Sequence, residues 1–390
     1  MSNSYIASKP RYEILDGLRG VAAIFVVIFH LFETYSAGVV HQVVNHGYLA
    51  VDFFFILSGF VIGYAYDERL SSGKMTTWSF IKRRLVRLHP MVCLGALIGF
   101  LLFYFGGGPD FGMMNQATWY QLLLLLLIAF TMLPVPASMD VRGWGETYPL
   151  NGATWSLMLE YIANLLYVLF IRKFGKVALG ICVGLSALLT LSLTFNLDPF
   201  GVFPDGNSVA YTVIGGWGVD AAQLYIGLTR LLFPFFTGLL IQRGGRYINA
   251  KGGFWWCALI IMISQCMPRI GGADPSNFWM NGLYESICIL LVFPLVVMMG
   301  AGSQVVNKRS KKLCKFLGDI SYPLYITHYP LIYMQMGWAH SHQDAPISQH
   351  ILVAVCVFCI AIALAWASLK LYDEPVRTWL QDKLFAKRKS

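Results

Sequence analysis

Charged side chains are scarce in this chain of 390 residues. Asp, Glu, Lys and Arg make up 13% of it and hydrophobic residues 57%, whereas soluble domains carry about 25% charged residues. Long polar segments are also lacking, because apolar stretches recur with short polar connections between them. Such stretches, of about 16–23 residues, suit helices that cross roughly 30 Å of hydrocarbon. The composition therefore excludes a soluble globular protein and predicts a multi-spanning membrane protein.

A disulfide framework is not indicated either, because most of the eight cysteines lie within apolar runs. Cys356 and Cys359 form a C-x-x-C inside one such run, and packing is the better interpretation because no second ligand pair accompanies them. No small-residue cleavage signature precedes the first apolar run, so we expect that run to be retained as a span. We also expect no metal. The segment with His340, His342, Asp344 and His350 contains possible metal ligands, but we interpret it as a solvated loop.

The apolar runs predict an all-α, polytopic membrane bundle. Candidate spans lie at 14–34, 48–66, 88–106, 117–135, 152–171, 176–195, 224–242, 253–268, 279–301, 320–337 and 350–372.

The basic residues test that list, because the positive-inside rule assigns connections rich in Lys and Arg to the cytoplasm. If every basic connection is inside, one candidate too many lies between the 67–87 loop and the span at 152–171. The simplest solution makes 117–135 a re-entrant or interfacial element, or packs it with 106–116 as a hairpin. About ten spans then remain.

We therefore expect one transmembrane domain over 1–390, with cytoplasmic tails at 1–13 and 373–390. The net charge of +9 marks the cytoplasmic face and its contact with anionic lipid, so we expect no nucleic-acid partner.

The first predicted span contains an arginine and a histidine, Arg19 and His30. Eleven residues apart, they fall within about 20° of one helix face and roughly 16 Å apart along the axis. In a purely structural interpretation, Arg19 extends to the lipid headgroups and His30 packs in the core. Ionisable groups inside a membrane are costly and by default indicate a functional cavity.

Other polar residues in spans strengthen the prediction of a polar interior. Asp52 and Glu285 could each act in a site or only neutralise an arginine. His328 is the second histidine at mid-span depth. The remaining members of this group are Ser58, Glu160 and Arg230.

Arg84 and Arg87 lie at i, i+3 in IKRRLVRLHP, at the predicted cytoplasmic mouth of the third span. Guanidinium groups bind phosphates bidentately, but an ordinary positive-inside cluster is an equally good interpretation.

Taken together, these motifs resemble the membrane-bound acyltransferase-3 family, bacterial enzymes that O-acylate surface polysaccharides and some small molecules. The resemblance covers nearly the whole chain. Its motifs are R-x10-H (Arg19, His30), GYLAVDFFFILSGFVIG, RRLVRLHP (Arg84, Arg87, Pro90), TWSLMLEY (Trp155, Ser156, Glu160), TRLLFPFFTGLLI (Arg230), GDISYPLYITHYPLI (Tyr322, His328) and YDEPVRTWL (Glu374, Pro375, Arg377).

The resemblance implies a bacterial inner-membrane enzyme whose donor is acetyl-CoA or another acyl-CoA, approaching from the cytoplasm. Arg84 and Arg87 are then candidates for its phosphates. Acyl transfer needs a base and oxyanion donors, and we expect His30 as the base, supported by Asp52 or Glu160. Arg19 would bind the donor or stabilise developing charge. Candidate donors or acyl-path residues are His328, Ser156, Tyr322 and Arg230.

The expected acceptor is a hydroxyl of a cell-envelope or exported polysaccharide or glycolipid, with a small lipophilic acceptor as an alternative. Some family members append a soluble hydrolase-like domain, whereas here we expect the membrane domain itself to serve the acceptor. A proton-coupled transporter or flippase is the rival function, because it too would use buried Arg, His and Glu. A non-catalytic scaffold would not explain those residues.

Overall fold

The computed structural model describes residues 11–36, 38–106, 117–203 and 211–385. The outer parts of both predicted tails and most of the predicted hairpin partner 106–116 lie outside these residues. Within the described ranges the regular structure is helical: α1 (Glu13–Glu33), α2 (Ala50–Ser71), α3 (Thr77–Gly106), α4 (Trp119–Ala129), α5 (Thr154–Leu169), α6 (Lys176–Thr194), α7 (Ala221–Gly244), α8 (Gly253–Cys266), α9 (Phe278–Ile287), α10 (Phe293–Gly302), α11 (Lys308–Ser341), α12 (Ile347–Ser368) and α13 (Glu374–Phe385).

Membrane-length apolar helices dominate the described part of the chain. Seven segments are long and apolar enough to cross a membrane, and a π-helical turn joins two helices in two of them, α9 to α10 and α12 to α13. Helices α4, α5 and α8 are apolar but shorter. The chain is therefore a multi-pass helical membrane protein.

The 117–135 segment forms a short helix that turns back. Helix α4 has 11 residues, about 17 Å at 1.5 Å per residue, which is too short to cross the hydrocarbon. A capping box between Thr118 and Gln121 begins it. After its end Met132 adopts a left-handed φ of 63°, and the Val135 N–H then bonds to the Thr147 carbonyl. The apolar helix therefore ends well before 135, where the predicted candidate span ended.

Helix α11 lies in the middle of the bundle and is longer than the predicted span 320–337. Its 34 residues begin with a lysine-rich turn, and its central stretch carries His328 with several tyrosines and prolines, so that no part of it is apolar enough to count among the seven. Every residue from Pro323 to Pro330 is nevertheless buried. Helix α1 packs directly on it, since a Cβ added to Gly20 would lie 2.3 Å from the Leu317 carbonyl oxygen.

Glycines also allow α2 and α7 to approach closely. A Cβ added to Gly59 would lie 2.1 Å from the Phe235 carbonyl oxygen, and one added to Gly238 would lie 2.0 Å from that of Ile56. Small residues are the usual means of close helix approach in membranes. This crossing holds in place the helices that carry Asp52 and Arg230.

We expect Gly59→Ala to destabilise the protein by roughly 1–3 kcal/mol, because backbone must move to admit the methyl group. Gly180→Ala is the matched control, since nothing lies within 4 Å of the added Cβ on α6. Thermal unfolding of the detergent-solubilised variants measures both. Equal melting temperatures for the two variants would contradict the close approach of α2 and α7.

Candidate active site

Arg19 and His30 both face α11. The Arg19 guanidinium donates from Nε to Ser321 Oγ at 2.8 Å. Near the other end of α1 the His30 ring lies against His328 and Tyr329, with ring centroids 5.4 and 4.6 Å away. The common face expected from the eleven-residue spacing therefore meets one neighbouring helix.

The carboxylate that contacts His30 is Glu33, whereas Asp52 and Glu160, expected from the sequence to support this histidine, each pair with an arginine. Glu33 Oε2 lies 2.6 Å from His30 Nδ1. An ionised carboxylate only accepts hydrogen bonds, so the Nδ1 nitrogen carries the hydrogen and Nε2 keeps its lone pair. The imidazole is thus held in the tautomer that can take a proton at Nε2.

Asp52 instead forms a fully buried ion pair with Arg230. Arg230 Nη2 lies 2.8 Å from Asp52 Oδ2, and the two side chains are 1% and 0% exposed. The guanidinium also donates to the carbonyl oxygens of Tyr48 and Gly215. These contacts occupy four of its five N–H groups, so the pair is held by hydrogen bonds as well as by charge.

Glu160 is paired with Arg84 at the opposite end of the site. Arg84 Nη2 donates to Glu160 Oε1 at 2.6 Å, and Ser58 Oγ donates to the same oxygen at 2.7 Å. The side chains of Arg84 and Glu160 are 15% and 12% exposed. Because both are largely buried, this pair orients Arg84 rather than a histidine.

Arg19, Arg84 and Arg87 line a cavity of about 150 Å³, named here the arginine cavity. Among its lining side chains Glu160 supplies the negative charge, so arginines outnumber carboxylates three to one. Guanidinium groups grouped in this way suit a phosphate-bearing ligand. The structure thus brings Arg19 of α1 together with the neighbouring arginines Arg84 and Arg87 of α3.

His30, Glu33 and His328 line a second and larger cavity of about 550 Å³, named here the histidine cavity. Arg230 lies on its wall. The same wall carries three indole rings, those of Trp144, Trp155 and Trp217. A cavity with one orientable imidazole, carboxylates and aromatic faces can bind and deprotonate a hydroxyl compound.

His328 lines this cavity and has one buried ring nitrogen that makes no hydrogen bond to the described residues. Its Nδ1 lies 2.8 Å from the Tyr325 carbonyl and 3.2 Å from that of Leu324, so Nδ1 carries the hydrogen. Its buried Nε2 has no hydrogen-bond partner among the described residues. Neutral His328 therefore accepts a hydrogen bond, and only its protonated form could serve as the oxyanion donor expected from the sequence.

Two other predicted donors are already engaged. The Tyr322 hydroxyl donates to the Leu88 carbonyl at 2.6 Å. Ser156 donates to the Ala153 carbonyl at 3.2 Å, and its oxygen lies 2.6 Å from the Tyr325 hydroxyl. Both side chains line the arginine cavity, so a role in transfer would require these bonds to be exchanged.

Glu285, prominent in the sequence, is used for structure. Its carboxylate is fully buried and accepts from the Tyr48 and Thr212 hydroxyls at 2.5 and 2.8 Å and from Asn281 Nδ2 at 2.6 Å. Because Tyr48 also lines the histidine cavity, this network fixes part of the cavity wall.

Sequence reasoning missed Glu33, Glu146 and Tyr325. The role of Glu33 could have been predicted from the sequence, because a carboxylate three residues after a histidine lies on the same helix face. Glu146 belongs to the 133–153 connection and reaches the cavity only because Tyr333 of α11 donates to its Oε2 at 2.6 Å. No periodicity marks a loop residue of this kind.

Burial raises the pKa of Glu146 to about 7. A raised acid pKa means that the folded state binds the proton more tightly, so this stabilisation is lost as pH rises from about 4.5 to 7. We expect the stability of the wild type relative to Glu146→Gln to fall by about 3 kcal/mol over that interval. Melting temperatures of both proteins across pH 4–8 test this. A difference that does not change with pH would contradict it.

No three His, Cys, Asp or Glu side chains are arranged to hold a metal ion within the described ranges.

The chain is similar to known acyltransferases along most of its length. A family model for acyltransferase-3, described as an acyltransferase domain, matches residues 12–370. Protein 2 in the picA locus of Rhizobium radiobacter is 34% identical over 164 residues, which cover 40% of this chain and 81% of that protein. No solved structure matches.

Two longer relatives match nearly the whole chain. YrhL of Bacillus subtilis, provisionally named a peptidoglycan O-acetyltransferase, is 22% identical over 93% of this chain and 54% of its own length. The O-acetyltransferase OatA of Staphylococcus aureus is 23% identical over 95% of this chain and 58% of its own. The chain thus spans little more than half the length of these two proteins. Since the family model covers far more than half of the chain, the protein belongs to the acyltransferase-3 family and is an acyltransferase.

Proposed function

We propose that this protein moves an acyl group, acetyl in the first instance, from acyl-CoA to a hydroxyl of a cell-envelope or exported polysaccharide or glycolipid. The observation that carries the proposal is the His30–Glu33 pair in the histidine cavity, together with the arginine cavity that Arg19 of the same helix lines with Arg84 and Arg87 of α3. The names of YrhL and OatA support acetyl as the group, and the name of YrhL supports an envelope glycan as the acceptor.

In this proposal the chain forms one ten-span domain in a bacterial inner membrane, with both termini in the cytoplasm. The distribution of Lys and Arg and the short, returning α4 support it. The arginine cavity then opens toward the cytoplasm, where acyl-CoA is available, and the histidine cavity lies toward the outer face. Acyl-CoA, the glycan acceptor and membrane lipid are the partners.

The donor's phosphates bind the arginine cavity. Arg84 is held in place by Glu160, Arg19 by Ser321, and Arg87 completes the set. Guanidinium groups fixed in this way lose little side-chain entropy when a phosphate binds.

His30 acts as the base. The acceptor hydroxyl donates to His30 Nε2, and its oxygen forms the ester bond with the acyl carbon as the carbon–sulfur bond breaks. His30 then returns the proton to the sulfur of CoA. Glu33 stabilises the imidazolium between these steps, and His328 Nε2 orients the acceptor by accepting a second hydrogen bond.

Membrane vesicles with radiolabelled acetyl-CoA test this function. We expect label in glycan or glycolipid esters only when the protein is present. Arg87→Gln should raise the KM for acetyl-CoA by about 10–100-fold, because a charge-assisted hydrogen bond to phosphate is lost, with a smaller effect on kcat. Arg246→Gln is the matched control, since Arg246 is exposed and lines neither cavity.

Transport of an acceptor without any dependence on acyl-CoA would contradict the proposal and favour a transporter or flippase. Equal KM values for Arg87→Gln and Arg246→Gln would remove Arg87 from the donor site.

A further inference from the structure

The arginine and histidine cavities meet at one side chain of α11. Tyr325 lines both cavities, and Val51 of α2 is the other residue common to the two. Ser156 lines the arginine cavity, whereas the preceding Trp155 lines the histidine cavity. A group that moves from one cavity to the other must therefore pass between α11 and the start of α5.

A hydrogen bond closes that passage. The oxygen atoms of Tyr325 and Ser156 lie 2.6 Å apart. Either hydroxyl can donate in this bond, and the Ser156 hydroxyl has the Ala153 carbonyl, 3.2 Å away, as a second acceptor. The bond ties α11 to α5 at the point where the cavities adjoin.

Packing holds the Tyr325 ring in this position. The Phe54 ring contacts it edge to face at 5.4 Å, and the Tyr325 side chain is largely excluded from solvent. The Tyr325 carbonyl also accepts from His328 Nδ1 at 2.8 Å. The backbone of Tyr325 is thereby held against His328, which lines the histidine cavity.

We propose that Tyr325, latched by Ser156, is the gate between the two cavities and determines which acyl groups pass. This inference rests on the proposed function. When closed, the gate separates the thioester of acyl-CoA from water in the histidine cavity. When it opens, the tyrosine ring swings aside, and a longer acyl chain requires a larger displacement of the ring than a two-carbon group does.

The same gate suppresses a side reaction. If water reaches the thioester, its oxygen bonds to the acyl carbon, the carbon–sulfur bond breaks, and the free acid and CoA thiol are released. A closed gate prevents this hydrolysis until an acceptor is bound, which is the usual benefit of excluding water from a reactive donor.

The test uses the full-length protein in membrane vesicles, with acetyl-CoA and butyryl-CoA as donors. Tyr325→Phe and Ser156→Ala each remove one of the two hydroxyl groups and so abolish the hydrogen bond between them. We expect each to raise acetyl-CoA hydrolysis without acceptor by about five-fold, the effect of one hydrogen bond. The double variant should show no further increase, because the same bond is lost. Tyr325→Ala should in addition raise butyryl transfer relative to acetyl transfer.

A matched control exists on the other side of the bundle. Tyr225 and Ser192 make a hydroxyl pair of the same length, 2.6 Å, and line neither cavity. Tyr225→Phe should leave hydrolysis and the butyryl to acetyl ratio at wild-type values. Quantifying each variant in the membrane corrects the rates for abundance.

The outcomes separate the gate from the function itself. Absence of acyl transfer by the wild type would overturn the proposed function. Wild-type transfer combined with unchanged hydrolysis and an unchanged chain-length ratio in the Tyr325 and Ser156 variants would overturn the gate alone. Complete loss of transfer in Tyr325→Phe without added hydrolysis would also overturn it and assign Tyr325 to the chemistry.

Discussion

His30→Ala is expected to lower acyl transfer by about 10²–10⁴-fold, the contribution of a positioned general base. The variant loses the Nε2 acceptor and leaves the cavity otherwise intact. The protein should still insert and accumulate, because the His30 side chain is 18% exposed to the cavity and makes its hydrogen bond to a residue of its own helix. Ester-linked acetate on surface glycans of a strain lacking the protein, complemented with wild type or variant, measures the effect.

Glu33→Gln is the informative companion. A glutamine keeps the size of the side chain and its acceptor oxygen but not the charge that stabilises the imidazolium. We expect a rate of acyl transfer between the rates of the wild type and of His30→Ala. The loss should appear as a lower kcat, with the KM for the donor unchanged. Ester yields equal to wild type in His30→Ala would remove His30 as the base. Wild-type kcat in Glu33→Gln would remove Glu33 from its support.

Asp52→Ala is expected to reduce the amount of folded protein and not only its turnover. The substitution leaves the Arg230 guanidinium, 1% exposed, without its counter-ion. Breaking a buried pair on one side costs about 3–5 kcal/mol, which is a large share of the stability of most proteins. Abundance in the membrane and the melting temperature after solubilisation measure this loss.

The double variant Asp52→Leu with Arg230→Met provides the control, because it removes both charges together. Replacing both partners of a buried pair by apolar residues is often neutral or stabilising. We therefore expect the double variant to recover much of the stability lost in Asp52→Ala. A folded, abundant and inactive Asp52→Ala would instead assign Asp52 to the chemistry, as the sequence first indicated.

The agreement between sequence and structure is best where one helix decides the outcome. The spacing of Arg19 and His30 predicts a shared face, because helical periodicity depends on the backbone alone. Both residues contact α11. If all connections rich in Lys and Arg lie in the cytoplasm, one candidate span too many remains, which predicts a non-crossing segment at 117–135. Helix α4 in this segment is short, with 11 residues.

The agreement is poorest where partners come from different helices. Asp52 and Glu160 are the carboxylates expected from the sequence to support His30, because both lie inside predicted spans. In the structure Asp52 forms an ion pair with Arg230, and Glu160 forms one with Arg84. Pairing of buried charges depends on which helices cross and at what depth, and a single sequence contains no direct record of either.

The sequence by itself thus determined the membrane class, the helical architecture and the common face of Arg19 and His30, since composition and periodicity act locally along the chain. Only the tertiary structure decided that Arg19 shares a cavity with Arg84 and Arg87 of another helix. It also decided that Tyr325 separates that cavity from the one containing the histidines. Cavities form between helices, so their walls are set by packing and not by any one segment.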